Sequence, residues 1–381
     1  MHYLDHAATT PLLPEARDAM LAHLGEDFGN PSSVHAFGRT AREAVEVARE
    51  RFAAAIGASP AEIVFTGGGT EADNLALKGA AHKLRGNGDH VVTTAFEHHA
   101  VLDTVEWLHH QGFQTTVVPV GGDGTVDPAK VADAVRPSTI LVSVMAVNNE
   151  IGTIQDLRAI ATAVKEKNHN TLIHTDAVQA LPNVPVDVRE WGVDLAAFSA
   201  HKLGGPKGTG ALYVRAGVPV EAVIHGGGQE RGLRSGTLNV AGIAGLGVAA
   251  QITSERVRDN SERVLKLRTR LLEGIQGTID DAVVNGDLER RIPGNLNVAF
   301  RGTEGETLLL LLDQAGIACS TGSACQSGAV DPSHVLLAIG LPKDLANGSL
   351  RFSLGPPSTD EDVDAVLDVL PEIVARARKV A

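Results

Sequence analysis

A chain of 381 residues, 43% of them hydrophobic, is long enough to bury a large core in two or three structural units, which excludes a disordered or fibrous protein. Its 33 Lys and Arg against 46 Asp and Glu leave a net charge of -13, which argues against extensive contact with nucleic-acid phosphates. The first residues have no basic or apolar leader character and no apolar run reaches bilayer-spanning length, so the sequence predicts a cytoplasmic protein without a membrane span.

Between Pro14 and Gly57 the apolar spacing is helical on either side of a turn-rich stretch at 29–33. Short β-branched runs then follow at 62–65, 90–93, 115–118, 139–144, 171–174 and 194–198, alternating with helical stretches. That alternation predicts a mostly parallel sheet with helices on both faces, in which ligands gather at the carboxyl ends of the strands. A charged helical stretch from Ser254 to Leu272 precedes new strand-like segments at 295–298 and 349–353, which predicts a second, smaller α/β domain. The extreme N-terminus is a candidate to pack with it.

The strand at 62–65 leads into Thr66, Gly67, Gly68, Gly69 and Thr70 and then a helical run. A strand, a glycine turn and a helix start together cradle phosphate through backbone N–H groups and the helix dipole. Gly67, Gly69 and Ala72, with Glu97 at the next strand end, also fit a relaxed dinucleotide fingerprint, and a plain tight turn is a third reading. Lys202 lies between a strand end and a glycine-rich turn, close behind Ser199 and His201, two side chains able to hold a phosphate. There its amine is a candidate Schiff-base former with an aldehyde cofactor, the alternative being a lysine that simply reaches solvent.

Asp176 and Gln179 follow the strand at 171–174. A carboxylate in that place can oppose a pyridinium nitrogen and an amide can reach a phenolic oxygen, although a strand-end aspartate more commonly caps the next helix. His98 either lies over a flat ring and exchanges protons or is a surface histidine. Two cysteines are too few for a disulfide scaffold. Cys325, in the polar, glycine-rich run at 323–328, suits exposure and reactivity, whereas Cys319, beside Ile317 and Ala318, reads as core. The 15 histidines show no metal-ligand spacing, so no metal site is expected.

Taken together, the blocks at 3–11, 28–33, 65–74, 97–98, 147–150, 174–179, 199–202, 234–237, 322–325 and 351–353 resemble the NifS-like cysteine desulfurases, within the class V aminotransferase branch of fold-type I pyridoxal-phosphate enzymes. The resemblance spans nearly the whole chain. It implies an α/β fold with a mostly parallel seven-stranded sheet in a large domain at 15–258, and a small α/β domain formed by 1–14 and 259–381 that carries the cysteine. It further implies pyridoxal 5'-phosphate as cofactor, bound covalently by Lys202. Gly69, Thr70, Ser199 and His201 would hold its phosphate, with Thr237 reaching in from the partner of a homodimer. Asp176 and Gln179 would bind the ring, and His98 would stack on it and shuttle protons. Asn149 and Arg351 would orient the substrate carboxylate, Asn149 also touching the cofactor; the competing reading of Asn149 is a turn residue. L-cysteine would be the substrate, with its sulfur passing to Cys325 as a persulfide, L-alanine released, and an acceptor protein taking the sulfur for iron-sulfur cluster assembly or thio-modification.

Gly355, Pro356 and Pro357 depart from the basic or aromatic residues usual after the family's Arg-Phe-Ser-Leu-Gly motif, and the chain ends soon after at Ala381. Housekeeping members usually carry a longer tail that helps dock an iron-sulfur scaffold, so that partner is in doubt here and another carrier is an alternative. Rival readings are a class V aminotransferase or epimerase, a selenocysteine lyase, a nicotinamide-dependent oxidoreductase and a sulfur-relay scaffold without turnover.

Overall fold

The computed structural model describes residues 1–321 and 332–379; Cys325 and its neighbours lie outside the described residues. The largest sheet has seven strands: β1 (Ile63–Thr66), β2 (His90–Thr94), β3 (Gln114–Val118), β4 (Thr139–Ser143), β5 (Leu172–Asp176), β6 (Leu195–Ser199) and β7 (Gly210–Val214). Their order across the sheet is β1-β7-β6-β5-β4-β2-β3. Only β7 runs against its neighbours, β1 and β6; every other adjacent pair is parallel. All residues of β1, β2 and β4 to β7 are buried, as expected for strands covered by helices on both faces, whereas β3, at the edge, is partly exposed.

Six of these strands coincide with the β-branched runs of the sequence. The seventh, β7, follows the glycines at 204–208 and is the strand that alternation alone does not reveal. Gly210 explains its closeness to the β1 turn, because a Cβ at that position would lie 2.6 Å from the carbonyl carbon of Gly68.

A second, antiparallel sheet comprises β8 (Ala282–Val284), β9 (Asn295–Phe300) and β10 (Ser349–Ser353), with β9 in the middle. Its apolar cluster includes Leu296, Phe300, Phe352 and residues of the helix Asp360–Ala377. The N-terminus joins it: His2–Tyr3 pairs in parallel with Ile317–Ala318, Leu4 is fully buried in this cluster, and Asp5 bridges to Ser353.

The helix expected from Ser254 begins much earlier and spans Val240–Thr278, 39 residues. Its first half buries Ile243, Leu246, Ala249 and Ala250 in the cluster around the large sheet, and its second half buries Val264, Leu267, Leu271 and Ile275 in the second cluster. Glycines permit the close packing of the first half: a Cβ at Gly247 would meet the Cα of Ala48 at 2.6 Å. Among the described residues no helix is long and apolar enough to cross a membrane.

Candidate active site

β1, β2, β4, β5 and β6 run in the same direction, so the residues at their carboxyl ends meet along one edge of the sheet. A cavity of about 370 Å³ opens there, bounded by Thr70, His98, Asn149, Asp176, Lys202 and Arg351, and its size suits a small cofactor. Gly69, Gln179, Ser199 and His201 line it as well. Ten expected site residues are thus brought to adjoining surfaces by the strand ends and by Arg351, which lies on β10. Thr237 is exposed and lies outside this cavity, and Cys325 is outside the described residues.

Lys202 closes a short turn, Ala200–Lys202, directly after β6. Its Nζ donates to the carbonyl oxygens of Ala7 and Ala8, each at 2.7 Å, and Gln179 Nε2 donates to the same Ala7 oxygen at 2.8 Å. Asp176, 5% exposed, ends β5, and one of its oxygens accepts the Val178 N–H at 2.9 Å. A turn rather than a helix follows, so that bond does not start a helix. Burial raises the Asp176 pKa, while His98, the Val178 N–H and Lys202 oppose the rise.

His98 is half-buried and caps the helix His99–His110, its Nδ1 accepting the Ala100 N–H at 3.1 Å. With Nδ1 fixed as acceptor, a proton on the neutral ring sits on Nε2. The ring also lines the cavity.

The glycine turn ends β1 and starts the helix Gly69–Leu84. Gly69 must lack a side chain: a Cβ would lie 2.7 Å from Val178 Cγ2 and 3.4 Å from Ser199 Cβ. An adjoining opening is lined by Gly67, Thr70, Ser199, His201 and Lys207, a set of backbone and side-chain donors. His201 Nδ1 lies 3.1 Å from Thr9 Oγ1, and its pKa is lowered to about 4 by burial and by the charges of Lys202 and Lys207. Glu71 accepts the Gly67 N–H at 2.8 Å and pairs with Arg234 at 2.8 Å, tying the turn to the segment that bears Thr237. Glu97 does not face a ribose site: it is fully buried and accepts from Thr94 Oγ1 at 2.6 Å and Met145 N at 2.8 Å, which removes the dinucleotide alternative.

On the opposite side Arg351, 3% exposed, donates to Asp5 Oδ1 and to the Asn149 carbonyl, both at 2.8 Å. Ser320 pairs with Arg351 through the backbone, and His334 Nε2 lies 2.9 Å from the Glu97 carbonyl, so the described residues on both sides of 322–331 are anchored beside the cavity. Cys319 packs against the second apolar cluster, and burial pushes its thiol up to about 12, which suits a structural rather than a reactive role. Sequence reasoning assigned no role to Asp5, Asp73 or Met145. Asp73 had a detectable signal, since it stands three residues after Thr70 on one helix and so shares its face.

The class-V aminotransferase family model matches residues 2–366. Cysteine desulfurase IscS of Clostridium botulinum is 50% identical over 381 residues, spanning all of this chain and 96% of that protein. Among solved structures, a NifS-like protein superposes with a TM-score of 0.93 at 40% identity, covering 99% of this chain and 100% of the other. SspA in complex with cysteine gives a TM-score of 0.84 at 35% identity, covering 94% and 100%.

Proposed function

The chain belongs to the class-V aminotransferase family and, within it, to the cysteine desulfurases, enzymes dependent on pyridoxal phosphate; from this premise we propose how its own residues take sulfur out of L-cysteine. The observation that carries the reading is the meeting of Lys202, Asp176 and His98 around one cavity at the strand ends. The donor set fits the cofactor: an amine for its aldehyde, a buried carboxylate for its ring nitrogen, and a glycine turn where a Cβ has no room, flanked by Ser199 and His201, for its phosphate. When bound, pyridoxal phosphate supplies an electron sink for bonds broken next to the substrate's α-carbon.

Lys202 would hold the cofactor's aldehyde carbon and its free amine would remove the substrate's Cα proton, and Asp176 would face the ring nitrogen and keep it positive. Gln179 and Asn149 would complete the polar lining of the cofactor's ring, and His98 Nε2 would carry protons to and from the substrate. Arg351 orients the substrate carboxylate with its fork, which requires the substrate to replace Asp5. The Cys325 thiolate then attacks the substrate sulfur: the S–S bond forms as the Cβ–S bond breaks, and the released electron pair stays with the carbon skeleton. Protons delivered to Cβ and back to Cα complete L-alanine, leaving Cys325 as a persulfide. No external oxidant or reductant enters this step.

We read 15–258 as the cofactor-binding domain and 1–14 with 259–381 as a small domain, a division supported by the separate apolar cluster that includes Leu4 and Phe352. A homodimer in which Thr237 serves the partner's phosphate site accords with the exposure of Thr237, and we place the protein in the cytoplasm with a sulfur-acceptor protein as its outlet.

The test is release of L-alanine and sulfide from L-cysteine with dithiothreitol present, for the wild type, Cys325→Ser and Lys202→Ala. Turnover by the wild type, lost in Cys325→Ser while cofactor absorbance stays normal, supports the persulfide route. Undiminished turnover in Cys325→Ser refutes it in favour of direct elimination.

A further inference from the structure

Beneath Asp176 lies a polar pair that the mechanism above does not use. His174 precedes Asp176 by two residues on β5, so both side chains leave the same face of the sheet. Its Nδ1 is 2.8 Å from Ser143 Oγ, on the partner residue of the neighbouring strand β4. Its Nε2 is 3.4 Å from Asp73 Oδ1, and among the described residues neither of these two atoms has a hydrogen-bond partner. Asp73 is 1% and His174 0% exposed. With the ring hydrogen on Nδ1, the two atoms are bare acceptors that repel, whereas a proton placed between them makes one hydrogen bond and satisfies both.

The surrounding charges decide where that proton resides. Asp73 lines the same cavity as Asp176 and feels both Asp176 and Glu97; burial and then these two carboxylates push its pKa well up. Burial pushes His174 in the other direction, to about 3. A neutral His174 with its hydrogen on Nδ1, donated to Ser143, offers Nε2 as the acceptor. An ionised Asp73 would instead set a second buried negative charge near Asp176 and drive Asp176 to take up a proton, and a protonated Asp176 no longer holds a positive ring nitrogen.

We propose that Asp73 is a positioning residue that stays protonated, donates its hydrogen to His174 Nε2, and thereby keeps the negative charge of the cavity floor on Asp176. This rests on the reading that Asp176 opposes the cofactor's ring nitrogen.

The experiment compares the full-length wild type with Asp73→Asn, which is neutral and keeps a donor for His174, and with Asp73→Ala, which keeps neither shape nor donor. Infrared spectra of each protein, with and without pyridoxal phosphate, are subtracted wild type minus variant, alongside cofactor affinity and the pH titration of the bound cofactor's visible absorption. A protonated-carboxyl stretch present in the wild type and missing from Asp73→Asn is expected. Cofactor affinity should stay within about twofold in Asp73→Asn and fall about tenfold in Asp73→Ala. Loss of only an ionised-carboxylate band in Asp73→Asn, or a shift of its visible titration midpoint by about one pH unit as a lost charge would give, overturns the proposal. Should Asp73→Asn fail to fold, the nitrogen NMR shifts of His174 in the wild type decide: a hydrogen on Nδ1 alone supports the proposal, and a hydrogen on Nε2, alone or in a doubly protonated ring, overturns it. A protein that takes up no pyridoxal phosphate defeats the cofactor reading, while the infrared band still reports the state of Asp73.

Discussion

On the floor of the cavity, polar groups are held by their own strands and by the turns that leave them: Glu97 by Thr94 and the Met145 N–H, Asp176 by the Val178 N–H, His174 by Ser143 on the adjacent strand. Around the rim, Lys202, Gln179 and Arg351 reach instead to Asp5, Ala7 and Ala8 of the N-terminal segment and to the Asn149 carbonyl. In the proposed mechanism floor contacts lie behind the ligand and survive its arrival, whereas rim contacts are the ones it takes over, since there the amine and the guanidinium change partners. The floor therefore sets electronic properties, and the rim sets exchange.

Rim substitutions should carry the largest effects. Lys202→Ala should abolish retention of the cofactor's visible band on gel filtration and lower turnover by about 10³-fold or more, and retained turnover would show that another base serves. Next in size, Arg351→Ala should lower kcat/KM by about 10²-fold, chiefly through KM, and Arg351→Lys should recover little because an ammonium cannot replace a fork. Steady-state kinetics on Asp5→Asn sharpen the point: removing the competing carboxylate should lower KM a few-fold, and an increase would place the substrate carboxylate elsewhere.

On the floor, Gly69→Ala drives a methyl to 2.7 Å from Val178 Cγ2, and overpacking of about 1–2 kcal/mol predicts cofactor affinity weakened about tenfold, readable by equilibrium dialysis. The smallest effect concerns pH and stability. Burial raises Glu97 to about 8, with Asp176 adding to the rise and the Thr94 and Met145 bonds opposing it. A folded-state pKa above the unfolded one gives a stabilising contribution that is complete below the unfolded value near 4.5 and is lost as pH rises through about 8. Glu97→Gln should flatten the fall in stability between those limits, as measured by denaturant unfolding at a series of pH values. A curve parallel to wild type would mean that Glu97 is ionised in the folded protein.

Much of the floor was legible in the sequence because it follows from strand ends: β-branched runs locate the strands, and Asp176, Ser199 and His98 stand at or just past their carboxyl ends. The rim was less so. Asp5 meets Arg351 across 346 positions of sequence, and only the pairing of the N-terminus with the second sheet brings them together. β7 escaped notice because its start is a glycine required by the neighbouring turn, not a β-branched residue. The first half of the helix Val240–Thr278 has small residues buried against helix Ala36–Ala55 and lacks the polar face that makes an amphipathic period visible. His174 reads as one more apolar-strand residue, since nothing local announces that Asp73, a hundred residues earlier, lies against it.

That helix also bears on how the molecule comes apart. At 39 residues it is about 58 Å long and contributes side chains to both apolar clusters, so neither cluster can melt without stripping one half of a helix whose other half is still packed. Helix propagation is cooperative, and a half-stripped helix is a costly end state. The two clusters should therefore unfold in a single calorimetric transition, with hydrogen exchange in the two halves of the helix following one common opening.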